Sequence, residues 1–213
     1  MTATDGDWHR RATICGLAAP IVALGAIVLA TLLAAPETFT WRGRALSDMG
    51  RTDAVTFPLF NGGLILGGLL GIPFGWQLWI ESRTALERLG VALLWAATIG
   101  LIGVGVFFLG HTAVYLETSL HGPAALLYFG IAPFAQWVYG SGLVLADEPR
   151  LGLVSIWLGI VHPLAWVGWL LYRTVAADPM AWFAVPEFVA ALAFGSWILV
   201  LAVDRRTEPD PSN

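Results

Sequence analysis

Long uncharged apolar runs recur along these 213 residues, and they remove most of the folds otherwise open to a chain of this size. A helix needs about 20 mainly apolar residues to cross the hydrocarbon of a bilayer, because each residue advances it by about 1.5 Å. A soluble core has no use for runs of that length. In hydrocarbon every backbone N–H and C=O must be satisfied within its own segment, so the runs are helices. Charged residues make up 12% of the chain, roughly half the share in a soluble domain, which leaves little of it to face water.

Taken in order, the runs predict an all-α membrane protein, a single six-helix bundle over residues 1–213. The first helix covers about 12–35, and its length exceeds the h-region of a signal peptide, with Pro36 disfavouring cleavage after Ala35. The second covers about 58–80 and opens on Pro58, at a first-turn position where its missing N–H costs nothing. Thr84 and Glu87 have the spacing of a capping box, so the third helix starts at 85 and runs to about 110. The fourth covers about 121–146 and the fifth about 151–172. Asp178-Pro179 is a cap followed by proline and predicts a sixth helix over 179–203, leaving 204–213 as a polar, disordered tail.

Small residues predict how the helices meet. Gly63, Gly67, Gly71 and Gly75 recur every fourth residue along the second helix, a flat ridge that another helix can approach closely. A phosphate-cradling loop is excluded there, since no P-loop Lys or Ser/Thr follows. The single Cys15 reads as a small apolar residue and cannot form an intramolecular disulfide. With 15 acidic and 11 basic residues and no basic run, nucleic acid is excluded as a partner.

Arginines orient the bundle. With the N-terminus inside, Arg10, Arg11, Arg83, Arg88, Arg150, Arg205 and Arg206 lie in the cytoplasm, against Arg42, Arg44, Arg51 and Arg173 outside. The positive-inside rule therefore predicts both termini in the cytoplasm of a multi-pass protein of the cell membrane. Under that orientation the polar residues gather in the outer half: Ser47, Asp48, Asn61, His111, Glu117, His121 and Glu187. Polar groups at membrane depth are costly unless they face one another or a wet cavity, so this cluster is the candidate ligand pocket. At 100° per residue, His121, Tyr128 and Tyr139 fall within about 20° of one another with Gln136 beside them, a polar stripe that should face the bundle interior. His111, His121 and Asp48 are the residues that would hold a metal, although their spacing matches no metal motif. His162 lies about 15 Å deep, beside Pro163.

Leu46-Ser47-Asp48-Met49-Gly50, Phe60-Asn61-Gly62-Gly63-Leu64 with Gly67, and Leu120-His121-Gly122 resemble, in order and spacing, an uncharacterised prokaryotic membrane family catalogued as domain of unknown function 998. Val185-Pro186-Glu187 and Trp197 resemble the last helix of its haloarchaeal, hence archaeal, members, in keeping with acidic tails and no lysine. The resemblance implies a six-helix membrane protein and brings no activity with it. Many members carry an acidic residue after Phe-Pro at the end of the third helix; here Phe107-Phe108-Leu109-Gly110-His111 has neither the proline nor the acid.

Three functions are compatible with these residues. The first is a non-enzymatic protein that binds a membrane lipid or a small apolar or amphipathic ligand in an outward-facing polar pocket, without a cofactor and with an oligomer allowed. A second is a zinc-dependent intramembrane hydrolase similar to the ceramidase-like superfamily, using Ser47, Asp48, His111, His121 and His162. Against it, the clustered His-x-x-x-His is missing. A small transporter is the third, motivated by Pro133 and Pro163 within helices.

Overall fold

The computed structural model describes residues 3–207, and among them only helices, turns and irregular connections occur. Six long helices follow in sequence: α1 Ala3–Leu33, α2 Phe57–Glu81, α3 Ala85–Val106, α4 His121–Leu145, α5 Pro149–Arg173 and α6 Ala184–Thr207. Short 3-10 turns, Leu46–Gly50 and His111–Ala113, lie in the two connections α1–α2 and α3–α4. Five helices, α1, α2, α3, α5 and α6, are long and apolar enough to cross a bilayer, so the chain is a multi-pass membrane protein. The remaining helix, α4, matches α2 and α5 in length at 25 residues. It is more polar because it carries His121, Tyr128, Gln136 and Tyr139.

Each helix packs on its neighbours in sequence, and α6 returns to pack on α1. Helix α4 also touches α6, which leaves α5 outermost. In the most apolar stretch of α5 only 22% of residues are buried, against 61% in α6. Small residues set the close approaches. A Cβ on Gly90 or Gly100 of α3 would stand 2.6 Å from the backbone of Tyr139 or Tyr128 in α4, so these two helices touch main chain to main chain. The glycine ridge of α2 divides its partners: Cβ atoms on Gly63 and Gly67 would lie 2.0 and 2.7 Å from Ala26 and Ala23 of α1, whereas Gly75 abuts Trp95 of α3.

The first turns of α1 and the last turns of α6 lie at one end of the bundle, tied by polar pairs. Glu81 at the end of α2 meets His9 of α1 at 3.3 Å and Arg205 of α6 at 3.0 Å. Nearby, Arg83 bridges Glu87 and Glu148 at 3.2 and 2.6 Å. Core residues near this terminal end include Phe74, Leu78, Tyr139, Trp197 and Leu201; Leu46, Met49, Phe60 and Leu64 fill the opposite, loop end. Of the polar stripe on α4, Tyr128, Gln136 and Tyr139 are buried in the bundle.

Several boundaries differ from the sequence expectation. Helix α1 begins at Ala3, not near 12, because its polar first turns are held by pairing rather than by lipid, as with His9 and Glu81. Helix α3 stops at Val106, short of 110: Phe107 leaves helical geometry, and Gly110 takes a left-handed φ of 88°. Helix α6 begins at Ala184, not 179. Asp178 accepts from the Met180 amide in a local turn, and Trp182, at φ 63°, donates its amide to the Arg42 carbonyl. At its other end α6 continues to Thr207, so residues 204–207 of the expected tail are helical; 208–213 lie outside the described residues.

Candidate functional site

Of the expected site residues, Ser47, Asp48, Asn61 and Glu187 meet at the loop end, around the turn Leu46–Gly50. This turn lies across the bundle mouth with Leu46, Ser47, Met49 and Gly50 buried. A 3-10 turn leaves amides and carbonyls without partners, and each must be satisfied where water is scarce. Here side chains supply the partners. The Leu46 amide donates to Glu187 Oε2 of α6 at 2.7 Å, and the Ala45 amide donates to Asp48 Oδ2 at 2.9 Å. Asn61 Nδ2 of α2 donates to the Gly50 and Phe57 carbonyls at 2.9 and 3.1 Å. Thr56 Oγ1 donates to the Met49 carbonyl at 2.8 Å. A Cβ on Gly50 would fall 2.5 Å from Asn61 Oδ1, which explains the glycine.

Asp48, Asn61 and Glu187 thus converge on one stretch of backbone, not on one another. Ser47 lies within that stretch. Arg44 Nη1 approaches Asp48 Oδ1 at 4.0 Å, a loose pair at the rim. Thr56 belongs to the same brace and was not among the expected residues; its position just before a helix-opening Pro58 is the only local hint.

The histidines lie on the α3–α4 connection. His121 Nδ1 donates to the Phe107 carbonyl at 2.8 Å, which fixes the tautomer and leaves the lone pair on Nε2. His111 is fully buried, with Nδ1 2.9 Å from the Phe108 carbonyl and Nε2 3.0 Å from that of Thr118. Phe107, Phe108 and Tyr115 surround its ring. The Tyr115 hydroxyl donates to the Val106 carbonyl, and partial burial raises its pKa above the ordinary tyrosine value. At the rim of the other connection, the hydrogen bond from Arg51 holds the Asp53 carboxyl below the usual range. Glu117 is exposed, apart from the brace.

A metal ligand must offer a lone pair. Both His111 nitrogens face carbonyl oxygens, and one Asp48 oxygen is taken by Ala45. Among the described residues no three His, Cys, Asp or Glu side chains gather into a metal-holding group. His162 lies elsewhere, between α4 and α5, with its ring against Phe129.

Tyr128 is deeper still. It packs edge-on to Phe194 of α6, beside a cavity of about 50 Å³ at the centre of the bundle. Leu24 of α1, Leu64 of α2, Thr98 and Leu101 of α3 and Phe194 of α6 are among the residues of its wall, which is almost wholly apolar. At the terminal end a wide groove of about 640 Å³ runs past Glu148, Arg150 and Asp204, open to solvent.

No curated protein and no solved structure matches the chain. Residues 17–204 match the family described as "Protein of unknown function (DUF998)", a span that includes the whole brace, all of α2 to α5, α1 from Leu17 onward and α6 as far as Asp204. The chain belongs to that family.

Proposed function

We propose that the chain crosses the cell membrane six times with both termini in the cytoplasm, and that it binds a lipid or small amphiphile rather than catalysing a reaction. The observation that carries this reading is the apolar cavity of about 50 Å³ at the centre of the bundle, room for the end of an acyl chain rather than a whole lipid, beneath a mouth covered by the braced turn. Asp48, Asn61 and Glu187 spend their hydrogen bonds on backbone, the work of a plug rather than of a catalytic group. Thr98 and Tyr128 provide the few hydroxyls in an otherwise greasy wall. A hydrolase needs a free nucleophile beside a free base, and the brace leaves those roles without candidates that touch.

The start of α1 and the end of α6 share one end of the bundle, which supports an even number of crossings. Helix α4 makes the sixth. Its polar side chains turn inward toward α6, as Tyr128 and Gln136 do, so its outer face meets lipid in apolar residues such as Leu126 and Phe134.

Native mass spectrometry of protein released from two unlike detergents tests the reading. A retained apolar adduct, reduced in a Tyr128→Trp variant that fills the cavity, is the expected result. Adduct-free protein from both detergents overturns it. Labelling of single cysteines placed in 37–45 and at 83, in a Cys15→Ser background, checks the orientation from either side of intact cells.

A further inference from the structure

A second group of polar atoms lies away from the brace, in the seam where outermost α5 packs on α4. His162 is 1% exposed at mid-α5, and neither ring nitrogen has a hydrogen-bond partner. The indole N–H groups of Trp137 and Trp166 and the Oε1 of Gln136 are buried and unpartnered in the same way. The Phe129 ring stands 6.0 Å from the imidazole and 5.3 Å from the Trp166 indole. A Cβ on Gly159 would lie 2.7 Å from Trp137 Nε1 and 3.0 Å from Gln136 Cβ. Gly159, His162 and Trp166 follow at spacings of three and four along α5 and so share the face turned to α4, where Trp137 and the stem of Gln136 meet Gly159, while Gln136 Nε2 donates past the seam to the Ala193 carbonyl of α6 and leaves its Oε1 unpaired.

Two prolines add to it. Pro133 lies within α4 and Pro163 within α5. Each lacks the N–H that would bond the carbonyl four residues earlier, and those carbonyls belong to Phe129 and Gly159. Both residues line the seam. The Phe129 carbonyl is also the backbone group that acts on His162, although outside hydrogen-bond geometry. Unpaired polar groups at membrane depth are expensive, and where they persist they mark functional sites.

The chemistry of the seam defines what fits it. It offers donors, two indole N–H groups and one imidazole N–H, together with acceptors, an amide oxygen, an imidazole nitrogen and two released carbonyls. It offers no fixed charge: besides His121 in α4 and His162 in α5, these helices contain no acidic or basic residue except Arg150 and Arg173, at the two ends of α5. A charged head would be stranded there. A pure hydrocarbon would satisfy none of the polar atoms. A hydroxyl both donates and accepts, and so complements both sets. Half-buried Trp137 and Trp166 stand at the rim of the seam, and α5 is the helix most exposed to lipid.

We propose that the α4–α5 seam binds a neutral, hydroxyl-headed amphiphile that reaches it sideways from the bilayer, the hydroxyl lodging among Gln136, His162 and Trp166. This rests on the amphiphile-binding reading above, but gives the head group a site of its own, separate from the central cavity.

The experiment is photolabelling of the full chain in phosphatidylcholine proteoliposomes. The probes are a diazirine-bearing long-chain alcohol, the matching fatty acid and the matching hydrocarbon, with labelled peptides mapped by mass spectrometry. Saturable labelling of α4 and α5 peptides by the alcohol, about fivefold above acid and hydrocarbon, is expected from one or two hydrogen bonds. His162→Phe and Gln136→Leu should each lower it by about the same factor; His162→Phe should also raise or preserve thermal stability, since both ring nitrogens it removes are unpaired, whereas Gln136→Leu gives up the bond to the Ala193 carbonyl as well. Equal labelling by all three probes, or labelling unchanged in the double variant, overturns the seam. Saturable labelling confined to peptides lining the central cavity overturns the seam and leaves the amphiphile reading standing. No saturable labelling anywhere overturns both.

Discussion

The amide of Leu46 donates to the Oε2 of Glu187 at 2.7 Å, a bond between residues 141 positions apart that ties the first connection to the last helix. Replacing Glu187 by leucine leaves that amide buried without an acceptor, at a cost of about 1–3 kcal/mol. Glutamine keeps an acceptor oxygen and should cost less. Thermal unfolding in detergent reads the difference. Limited proteolysis should show new cleavage between 37 and 56 in the leucine variant alone; equal melting of both variants argues against the bond.

Gly50 and Asn61 are coupled in the opposite sense. Alanine at 50 would drive its Cβ toward Asn61 Oδ1, 2.5 Å away, while loss of Asn61 frees the Gly50 carbonyl. Gly50→Ala and Asn61→Ala should each destabilise, by roughly 1–3 kcal/mol. Their combination should cost less than the sum, because Asn61→Ala removes the atom that is struck. Strict additivity in a double-mutant cycle would place the collision elsewhere.

The ridge on α2 should respond unevenly. A Cβ at Gly63 would reach 2.0 Å from that of Ala26, whereas one at Gly71 finds its nearest neighbour, Thr98 Cγ2, at 3.6 Å. Gly63→Ala forces α1 and α2 apart and should lower stability by about 1–3 kcal/mol. Gly71→Ala meets ordinary contact and, by helix propensity, should be neutral or stabilising by up to about 1 kcal/mol. Melting temperatures of the two variants side by side decide this.

At the terminal end Thr84 caps α3, accepting from the Glu87 amide at 3.1 Å. Thr84→Ala should cost about 1 kcal/mol, within the usual span for a cap. Glu87→Ala should cost more, since Glu87 Oε2 accepts from the Arg83 and Thr84 amides at 2.6 and 2.7 Å in a buried position. Chemical denaturation of both in mixed micelles ranks them, and the reverse order would refute the assignment.

What could be read beforehand follows the range of the interactions. The cap at Thr84 and Glu87 is local, three residues long, and the structure contains both of its bonds. Helix α2 is also local, being apolar with a proline in its first turn, and it starts and ends within one residue of expectation. Asp178-Pro179 misleads because the same local signal serves an Asx turn as readily as a helix cap, and distant contacts decide between them. The Trp182 amide goes to Arg42, and the Ala181 carbonyl accepts from Trp169 Nε1. The polar residues of the loop end stand out in the sequence because membranes tolerate few of them. Their partners could not, since Glu187, Asn61 and Asp48 bond to main chain, and main chain carries no sequence signature. The buried nitrogens of Trp137 and Trp166 were hidden for another reason: tryptophan at a helix surface reads first as an interfacial anchor.

The return of α6 onto α1 bears on how the protein is made. A Cβ at Gly195 of α6 would lie 2.7 Å from Leu24 Cδ1 of α1 and 3.4 Å from Pro20, so the two helices fit closely. Synthesis runs from the N-terminus, so of these six helices α1 leaves the ribosome before the others and α6 after them. Until α6 arrives, the flank of α1 around Pro20 and Leu24 has only lipid or a chaperone to cover it, and Glu81 waits for Arg205. Chains truncated before residue 184 would therefore insert yet remain open along α1, recognisable to the quality-control machinery of the membrane.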